Sequence, residues 1–389
     1  MSRRNLELNI STRQSIDRYL GTIFLVLVRP FVQLTGFVLK IDHSPKPKGE
    51  IVVIKMLGGG SLVIAFPSLL GLRRAYPGHR LTLLTTPSVR PFAEVLGLFD
   101  RIVVIDDSSL FKTIVTSFAA WAACFKPDTV LNLEVYSKLA TVFSLLTMAR
   151  NRIEFYLENV FWRRHISTHL LFFNRFAGVF LFYEQAVKLI GAEPASLKES
   201  RRFLNARLPH LEMPTGTYRI AVGHGCSGFG RERALSADQW CRFIANKKLK
   251  LKMEIYFLGS TEDRALADEV ISSFQKKGLK LIWHNDCGKK TLLESLSLMG
   301  GMDEFWGVDS SLHHFARLLG IPCISFWGPT SPETRLQPMP GLKETILYKR
   351  ITCSPCIHVA EFPPCRGKNL CIQGHFQKVE ENPSWVHNS

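Results

Sequence analysis

Short apolar runs alternate with amphipathic stretches along most of this 389-residue chain, and this alternation constrains the fold more than any other feature. Ile51–Ile54, Leu81–Thr85 and Thr129–Leu133 have the composition of buried strands, and helical periodicity follows the first two. After Pro209–Gly216 the pattern begins again with Tyr218–Val222. Strands that alternate with helices form parallel sheets covered on both faces. The sequence therefore predicts an α/β protein with two doubly wound parallel sheets.

Composition divides the chain into four predicted segments. Pro- and Gly-containing linkers at His43–Gly49 and Pro209–Gly216 separate them, as such residues interrupt regular structure. Within the first α/β segment, residues 150–208 are less regular, aromatic and basic, so they suit either the binding of a large anionic acceptor or packing combined with a solvated basic face. The segments are a basic amphipathic arm (1–48), a first α/β domain (49–208), a second α/β domain (209–345) and a cysteine-rich tail (346–389).

The chain is strongly basic, with 49 Lys and Arg against 33 Asp and Glu and a formal net charge of +16. Such a charge attracts nucleic acid, an anionic membrane surface or phosphorylated substrates. No Lys- or Arg-rich block is interleaved with aromatic residues, which disfavours nucleic acid. The expected partners are therefore an anionic membrane surface or phosphate-bearing molecules.

The N-terminal arm contains two apolar stretches, Leu20–Val28 and Phe31–Ile41, separated by Arg29 and Pro30. The first is shorter than the roughly 20 residues that a membrane-spanning helix needs. Basic residues outnumber acidic ones in the arm, which favours a helix pair lying in the membrane interface. A helical hairpin packed on the protein's own surface is the alternative. A transmembrane span ranks third, because Arg29 would lie near its middle.

The stretch Val308–Pro332 predicts a turn, a helix, a strand and a second turn in succession. Asp309 and Ser310 are residues that cap helix N-termini, and Ser311 follows them. In an open α/β sheet, ligands bind at strand carboxyl ends, and a helix N-terminus favours an anion. This favours a phosphate-bearing ligand at Ser310 and Ser311, with His314 one turn further on. An ordinary capped helix with a structural histidine is the alternative.

Two further loops of the second domain follow predicted strands, at Gly223–Arg233 and Gly259–Thr261. The first carries Ser227, Arg231 and Arg233, and hydroxyl and guanidinium groups are the chemistry that a diphosphate needs. Three such loops in one domain predict a nucleotide site.

The glycine turn of the first domain, Gly58–Gly60, lacks the third glycine of the dinucleotide fingerprint, which disfavours a dinucleotide oxidoreductase.

Glu134 stands where the strand Thr129–Leu133 ends, and Lys138 follows one helical turn later. A carboxylate at the carboxyl end of a strand is well placed to act as a general base. A solvated pair of Glu134 and Lys138 at i,i+4, with only a small effect on stability, is an equally good interpretation.

Four of the nine cysteines, Cys353, Cys356, Cys365 and Cys371, lie close together near the C-terminus. The first pair has the spacing of a structural zinc site. A packed or redox-sensitive thiol cluster is the alternative and is favoured over zinc. No cleavable signal peptide is recognised, so a reducing cytoplasm is expected.

Taken together, three stretches resemble glycosyltransferase family 9, the heptosyltransferase-like enzymes of lipopolysaccharide assembly. The stretch from Ile51 predicts a strand, a glycine turn and a helix that are similar to the family's opening elements. The stretch from Gly223 resembles the family's donor-phosphate loop, and the stretch from Val308 resembles its donor-site signature. Arg233, Asp309, Ser310, Ser311 and His314 occupy the matching places. The stretches are IVVIKMLGGGSLVIAFPSLLGLRRAYP from Ile51, GHGCSGFGRERALSADQW from Gly223 and VDSSLHHFARLLGIPCISFWGPTSPE from Val308.

The resemblance implies a GT-B architecture, with two Rossmann-like domains facing across a cleft. The N-terminal domain would bind a lipid-linked glycan acceptor and the C-terminal domain a nucleotide-sugar donor. Sugar transfer would invert the anomeric centre without an obligatory metal, at the cytoplasmic face of the bacterial inner membrane. The predicted ligand-binding residues, of which the first three lie nearest the acceptor, are Gly58, Gly59, Gly60, Ser227, Arg231, Arg233, Gly259, Asp309, Ser310, Ser311 and His314.

One departure from the family pattern concerns catalysis, because Ser61 stands where the heptosyltransferases have an aspartate regarded as the base. A serine hydroxyl with no partner to remove its proton is a poor base. The base has moved to Glu134, or a different substrate uses another base, or the protein binds without catalysing. We favour Glu134, with Ser61 and Lys138 near the acceptor. The alternative function is a catalytically inactive, membrane-associated nucleotide-sugar-binding protein.

Overall fold

The computed structural model describes residues 10–39, 41–157, 162–226, 230–247, 253–276, 281–357, 365 and 368–376. The chain divides into two compact units. The first comprises Met1–Arg207 with Glu333–Pro338, and the second Leu208–Pro332 with Met339–Ser389. Each unit has a six-stranded parallel sheet within the described residues, so the predicted α/β class is confirmed.

The sheet of the first unit has the strand order β3-β2-β1-β4-β5-β6, with every neighbouring pair parallel. Its strands are β1 (Ile51–Ile54), β2 (Leu81–Thr85), β3 (Arg101–Val104), β4 (Thr129–Asn132), β5 (Asn151–Tyr156) and β6 (His169–Phe172). The helices of this part of the chain are α1 (Ile10–Leu39), α2 (Gly59–Ala75), α3 (Arg90–Leu96), α4 (Leu110–Ala123), α5 (Lys138–Leu146), α6 (Val179–Leu189) and α7 (Leu197–Asn205).

The sheet of the second unit has the order β12-β11-β10-β7-β8-β9, again parallel throughout. Its strands are β7 (Tyr218–Gly223), β8 (Met253–Phe257), β9 (Ile282–Asn285), β10 (Glu304–Val308), β11 (Cys323–Trp327) and β12 (Glu344–Tyr348). The helices that follow β7 in the chain are α8 (Ala237–Ala245), α9 (Arg264–Gln275), α10 (Leu292–Met299), α11 (Ser311–Leu319), α12 (Pro332–Arg335) and α13 (Leu370–Gln373).

Parallel pairing brings strand ends that are far apart in sequence to the same sheet edge. Ile54 pairs in register with Asn132, so the chain leaves β1 and β4 side by side. Right-handed crossovers put α4 and α5 on one face of this sheet, and Ala120, Cys124 and Ala140 pack there on alternate strand residues. Helix α2 packs against α6, on the opposite face. The carboxyl edge between the faces is where candidate functional groups collect.

The described part of the N-terminal arm contains one helix, α1, where a pair was predicted, so the predicted helix pair is wrong. Pro30 lies inside this helix and removes one backbone hydrogen bond. The helix continues because Leu25, Val28 and Val32 pack on one cluster with side chains of α5, so the buried stripe runs across Pro30. Among the described residues, no helix combines the length and apolar character needed to cross a bilayer.

Asp17 fastens α1 to the start of α5. Its carboxylate accepts hydrogen bonds from the Ser137 hydroxyl at 2.7 Å and from the backbone N–H groups of Lys138 at 3.0 Å and Leu139 at 2.9 Å. These N–H groups belong to a helix N-terminus, where a negative charge is stabilising. Gly21 is required nearby, because a Cβ there would lie 2.5 Å from the Cβ of Lys138.

Residues 150–208 are more regular than the sequence pattern predicts. They supply β5, β6, α6 and α7, which complete the first sheet and its helices. Arg163, one of the basic residues of this segment, is fully buried, and its Nε lies 3.1 Å from the Glu154 carboxylate. A guanidinium paired in this way is part of the core, so Arg163 is not part of a solvated basic face.

Replacing Asp17 with Ala should lower the free energy of unfolding by about 1–2 kcal/mol, because three donors at the start of α5 lose their acceptor. Urea denaturation measures this loss, and amide hydrogen exchange should rise along α1. Asp238→Ala is the matched control, since Asp238 forms an exposed i,i+4 pair with Arg242 and should contribute less than about 0.5 kcal/mol. Equal effects of the two substitutions would contradict the fastening role of Asp17.

Candidate active site

A buried ion pair joins the carboxyl ends of β1 and β4. The Nζ of Lys55 lies 2.7 Å from Oε1 of Glu134, and their side chains are 6% and 11% exposed. The same oxygen accepts from the backbone N–H groups of Met56 at 2.8 Å and Leu57 at 3.1 Å. Within the described residues Oε2 receives no hydrogen bond. One carboxylate oxygen of Glu134 therefore anchors the site, and the other is left for chemistry.

The titration of Lys55 reflects this pairing. Burial lowers the pKa of its ammonium, but the Glu134 carboxylate outweighs burial, so the pKa of Lys55 is raised. Burial raises the pKa of Tyr183, although the positive charges of Lys55 and Arg335 act to lower it. Lys55 is thus protonated and Tyr183 neutral at neutral pH, and Tyr183 can act as a hydrogen-bond donor.

Ser61 lies on the glycine turn that leads from β1 into α2. Gly58 adopts the left-handed conformation at the N-cap of α2, with φ of 81°, which favours glycine. A Cβ on Gly59 would lie 2.4 Å from the Phe92 ring. Gly60 follows in the first turn of α2, and the Ser61 hydroxyl interacts with Tyr183. The turn therefore brings Ser61 to the group of charged and polar residues that contains Lys55.

Arg163 holds the backbone of Glu134 by hydrogen bonding. Its guanidinium donates to the carbonyls of Glu134 at 2.6 Å and Phe155 at 2.7 Å. Nε also donates to the Thr141 hydroxyl at 3.0 Å, beside the Glu154 carboxylate. Arg163 therefore positions the strand end on which the Glu134 side chain stands.

Two further arginines add positive charge to this part of the first unit. Burial raises the pKa of both Tyr183 and Tyr136, and the positive charge of Arg335 acts to lower both. Arg175 also acts to lower the pKa of Tyr136. The segment that carries Arg335 folds with the first unit, where Gln337 donates to Glu184 of α6 at 3.4 Å. Arg335 thus adds positive charge near Lys55 and Tyr183, at the end of β1.

Lys138 does not join this site. Its Nζ donates to the Thr22 hydroxyl of α1 at 2.6 Å, and its backbone N–H is bound by Asp17. Glu134 pairs with Lys55 instead, so neither the i,i+4 pair nor a common location of Glu134 and Lys138 is found. The reason is that α5 packs against α1, which takes up the lysine side chain.

In the second unit, Asp309 directly follows β10 and contacts two basic side chains. Nη1 of Arg233 lies 3.3 Å from its Oδ2, and Nε2 of His314 lies 3.4 Å from its Oδ1. Arg233 also donates to the Asp309 carbonyl at 2.7 Å. Asp309 and His314 are buried. The structure thus brings together three of the residues predicted to bind the donor.

Ser310 is the N-cap of α11, yet its side chain does not cap the helix. Its Oγ is buried and has no hydrogen-bond partner in the described part of the chain. Ser311 begins the helix, whose N-terminal N–H groups favour an anion. Arg231 is exposed on the short 3₁₀ turn that also carries Arg233. Ser227 lies outside the described residues.

Glycines let the loops after β7 and β8 pack on one carboxylate. A Cβ at Gly225 or Gly259 would lie 2.2 or 2.6 Å from the Asp263 carboxylate. That carboxylate accepts from the backbone N–H of Ser260 at 2.7 Å. His224 is fully buried, its Nε2 donates to the Asp263 carbonyl at 2.8 Å, and burial lowers its pKa. The sequence patterns missed Asp263 and His224, although His224 lies inside the predicted loop Gly223–Arg233 and Asp263 lies two residues after the loop Gly259–Thr261.

The cysteine-rich tail folds with the second unit. The N–H groups of Cys356 and Ile357 donate to the Pro329 carbonyl just beyond β11. Cys371 is buried in the core, and burial raises its thiol pKa to about 11. No group of three or more His, Cys, Asp or Glu side chains among the described residues is arranged to hold a metal ion. Of the four cysteines, Cys356 and Cys371 are buried, Cys365 is half-buried and Cys353 is exposed, and both the thiol cluster and the zinc site stay predictions.

Comparison with known proteins follows from this geometry. Residues 195–364 match the family model described as glycosyltransferase family 9 (heptosyltransferase), which confirms the resemblance seen in the sequence. None of the curated proteins compared with the chain matches it. Arg233, Asp309 and His314 all lie inside the matched range.

Solved structures show the same fold at low identity. A glycosyl transferase family 9 protein from Veillonella parvula has a TM-score of 0.61 and 17% identity, covering 79% of this chain and 87% of that one. The E. coli ADP-heptose LPS heptosyltransferase II has a TM-score of 0.57 and 15% identity, covering 84% of this chain and 100% of that one. E. coli heptosyltransferase WaaC with ADP has a TM-score of 0.58 and 15% identity, covering 77% of this chain and 92% of that one. The α/β fold of GT-B type is confirmed.

Replacing Lys55 with Met should lower the free energy of unfolding by about 3–5 kcal/mol, because Glu134 is left buried without its cation. Because folding raises the pKa of Lys55, the contribution is complete at neutral pH and declines only as pH rises past 10.5 towards the folded pKa. Urea denaturation at pH 7 measures the loss.

The double variant Lys55→Met/Glu134→Gln tests the pairing directly. The introduced glutamine still offers an oxygen to the two backbone donors and carries no charge, so the double variant should lose less stability than the sum of the single variants. Strictly additive losses would show that the pair is not coupled.

Proposed function

We propose that the chain is an inverting sugar transferase of glycosyltransferase family 9, the family whose model matches residues 195–364. It moves heptose or a related sugar from a nucleotide-sugar to a lipopolysaccharide-core or other surface-glycan acceptor, without an obligatory metal. The observation that carries the proposal is the Asp309 cluster. Asp309 lies between Arg233 and His314 at the N-terminus of α11, within the matched range.

The second unit holds the donor diphosphate in this proposal. As the bond between sugar and diphosphate breaks, negative charge develops on the leaving oxygen. The α11 N-terminus and the guanidinium groups of Arg231 and Arg233 stabilise that charge, and the Ser310 hydroxyl donates to a phosphate oxygen. Asp309 orients Arg233 and His314 beforehand, so little reorganisation is needed during the reaction.

The first unit supplies the base. Oε2 of Glu134 takes the proton of the acceptor hydroxyl while the hydroxyl oxygen attacks the anomeric carbon from the face opposite the diphosphate. Lys55 and two backbone N–H groups hold Oε1 and thereby fix the direction of the carboxylate. Ser61 and Tyr183 stand beside the pair and orient the acceptor. Lys138 has no part in this scheme, because its side chain lies on α1.

The acceptor is a lipid-linked glycan with acidic groups. Arg175 and Arg335 supply the positive field that recognises it. Helix α1 places the protein at the cytoplasmic face of the bacterial inner membrane, where the acceptor lies. Its outward side carries exposed apolar residues, Leu27, Phe31 and Leu34 among them, and basic residues lie along it, which suits an anionic lipid surface.

Glu134→Gln should reduce transfer by roughly a factor of 10²–10⁴ while donor binding changes little, because the amide cannot take a proton. The assay offers purified protein a panel of nucleotide-sugars, ADP-heptose among them, with lipopolysaccharide-core acceptors. Glu94→Gln is the control, since Glu94 forms an exposed pair with Arg90. Transfer retained by Glu134→Gln would remove Glu134 from the mechanism. Donor binding without transfer by the wild type across the panel would favour the inactive binding protein.

Arg233→Ala should weaken donor binding by roughly 10- to 100-fold, because a charge-assisted contact to the diphosphate is lost. Isothermal titration with the donor that supports transfer measures the change. Arg242→Ala, which removes an exposed arginine of the same unit, should bind the donor as the wild type does. Unchanged binding by the Arg233 variant would place the diphosphate elsewhere.

A further inference from the structure

Helix α4 exposes apolar side chains to an unusual degree. A helix packed on a sheet normally buries its large apolar residues and exposes polar ones. In α4 the only buried residue is the small Ala120, whereas Phe111 is 77% and Phe118 69% exposed. Contiguous apolar surface of this kind marks an interaction site. The large exposed apolar residues are Leu110, Phe111, Ile114, Val115, Phe118 and Trp121.

This face lies on the same side of the first sheet as α1. Both helices contact α5 on the same face of the first sheet: Trp121 Nε1 donates to the Leu146 carbonyl at 2.8 Å, and α1 packs along α5. Leu146 and Met148, at the end of α5, are themselves exposed, as is Phe125 just beyond α4. The exposed apolar residues of α1, α4 and the end of α5 therefore lie on one side of the unit.

The charges on this side identify its partner. Helix α4 contains no acidic residue, and the single acidic residue of α1, Asp17, is bound at the start of α5. Basic groups accompany the apolar ones: Lys112 on α4, and Lys126, whose Nζ lies 5.5 Å from the Phe125 ring centroid. Asp106, before α4, is paired with Lys112. Aromatic side chains bordered by cations match a bilayer surface that contains anionic lipids.

We propose that α4 is a second membrane-contacting element, which inserts its aromatic face into the interface of an anionic bilayer beside α1. The proposal rests on the peripheral membrane location given above. A single weak anchor holds a protein only marginally, whereas two contacts acting together hold it stably. The outward sides of α1 and α4 supply those two contacts, and α2 and α6, on the opposite face of the sheet, stay in water.

The full-length protein is tested by cosedimentation with phosphatidylcholine vesicles, with and without phosphatidylglycerol. Phe111→Glu/Phe118→Glu should lower partition onto anionic vesicles by roughly tenfold or more, because two apolar anchors become charged. Leu181→Glu is the matched control, since Leu181 is an exposed apolar residue of α6, and it should partition as the wild type does. Circular dichroism checks folding, and the single variants Phe111→Ser and Phe118→Ser serve if the double variant does not fold.

A third variant, Leu27→Glu/Phe31→Glu, separates this proposal from the membrane location itself. Loss of partition with the α1 variant but not with the α4 variants would overturn the role of α4 and leave α1 as the sole anchor. Unchanged partition with both would overturn the membrane location too. Light scattering can also show that the wild type is a dimer and that the α4 variants are monomers with unchanged partition. In that case the α4 face is an interface between copies, and the proposal fails. Transfer to a water-soluble acceptor should be equal in all variants, which tests the proposed activity independently.

Discussion

The buried ion pair between Lys55 and Glu134 is the contact on which the candidate site of the first unit depends. It joins two strands that are neighbours in the sheet but about 80 residues apart in the chain. Removing either charge would leave the other buried and unpaired. Because Oε1 binds three donors, the direction of the carboxylate is set before any substrate arrives. Arg163 adds a second layer by holding the Glu134 carbonyl.

The second unit uses the same physical arrangement with different residues. A carboxylate at the end of a strand, Asp309, holds an arginine and a histidine at a helix N-terminus. Glycines at 225 and 259 let neighbouring loops pack on the Asp263 carboxylate. In both units, charged groups are buried only where a partner compensates for the lost hydration. Such preorganised groups are what a reaction that develops charge on a leaving diphosphate requires.

Helix α1 combines a packed inward side with an exposed apolar outward side. Its inward side packs on α5, where the Asp17 carboxylate accepts hydrogen bonds at the helix N-terminus, and its outward side carries exposed apolar residues. The sheet separates this face from the one covered by α2 and α6, while the strand carboxyl ends open at the edge between them. Surface contact and chemistry can therefore use different parts of the same unit.

The sequence by itself determined the α/β class, because strand and helix periodicities are local, and β1 and β2 have the predicted bounds. It also indicated that glycine loops and capping residues follow strands, which made Asp309, Ser310 and His314 candidate ligand-binding residues. Only the tertiary structure decided which charges meet. Lys138 lies with α1 rather than with Glu134, α1 continues through Pro30, and residues 150–208 complete a sheet. Each of these outcomes depends on packing between distant segments, which local periodicity does not contain.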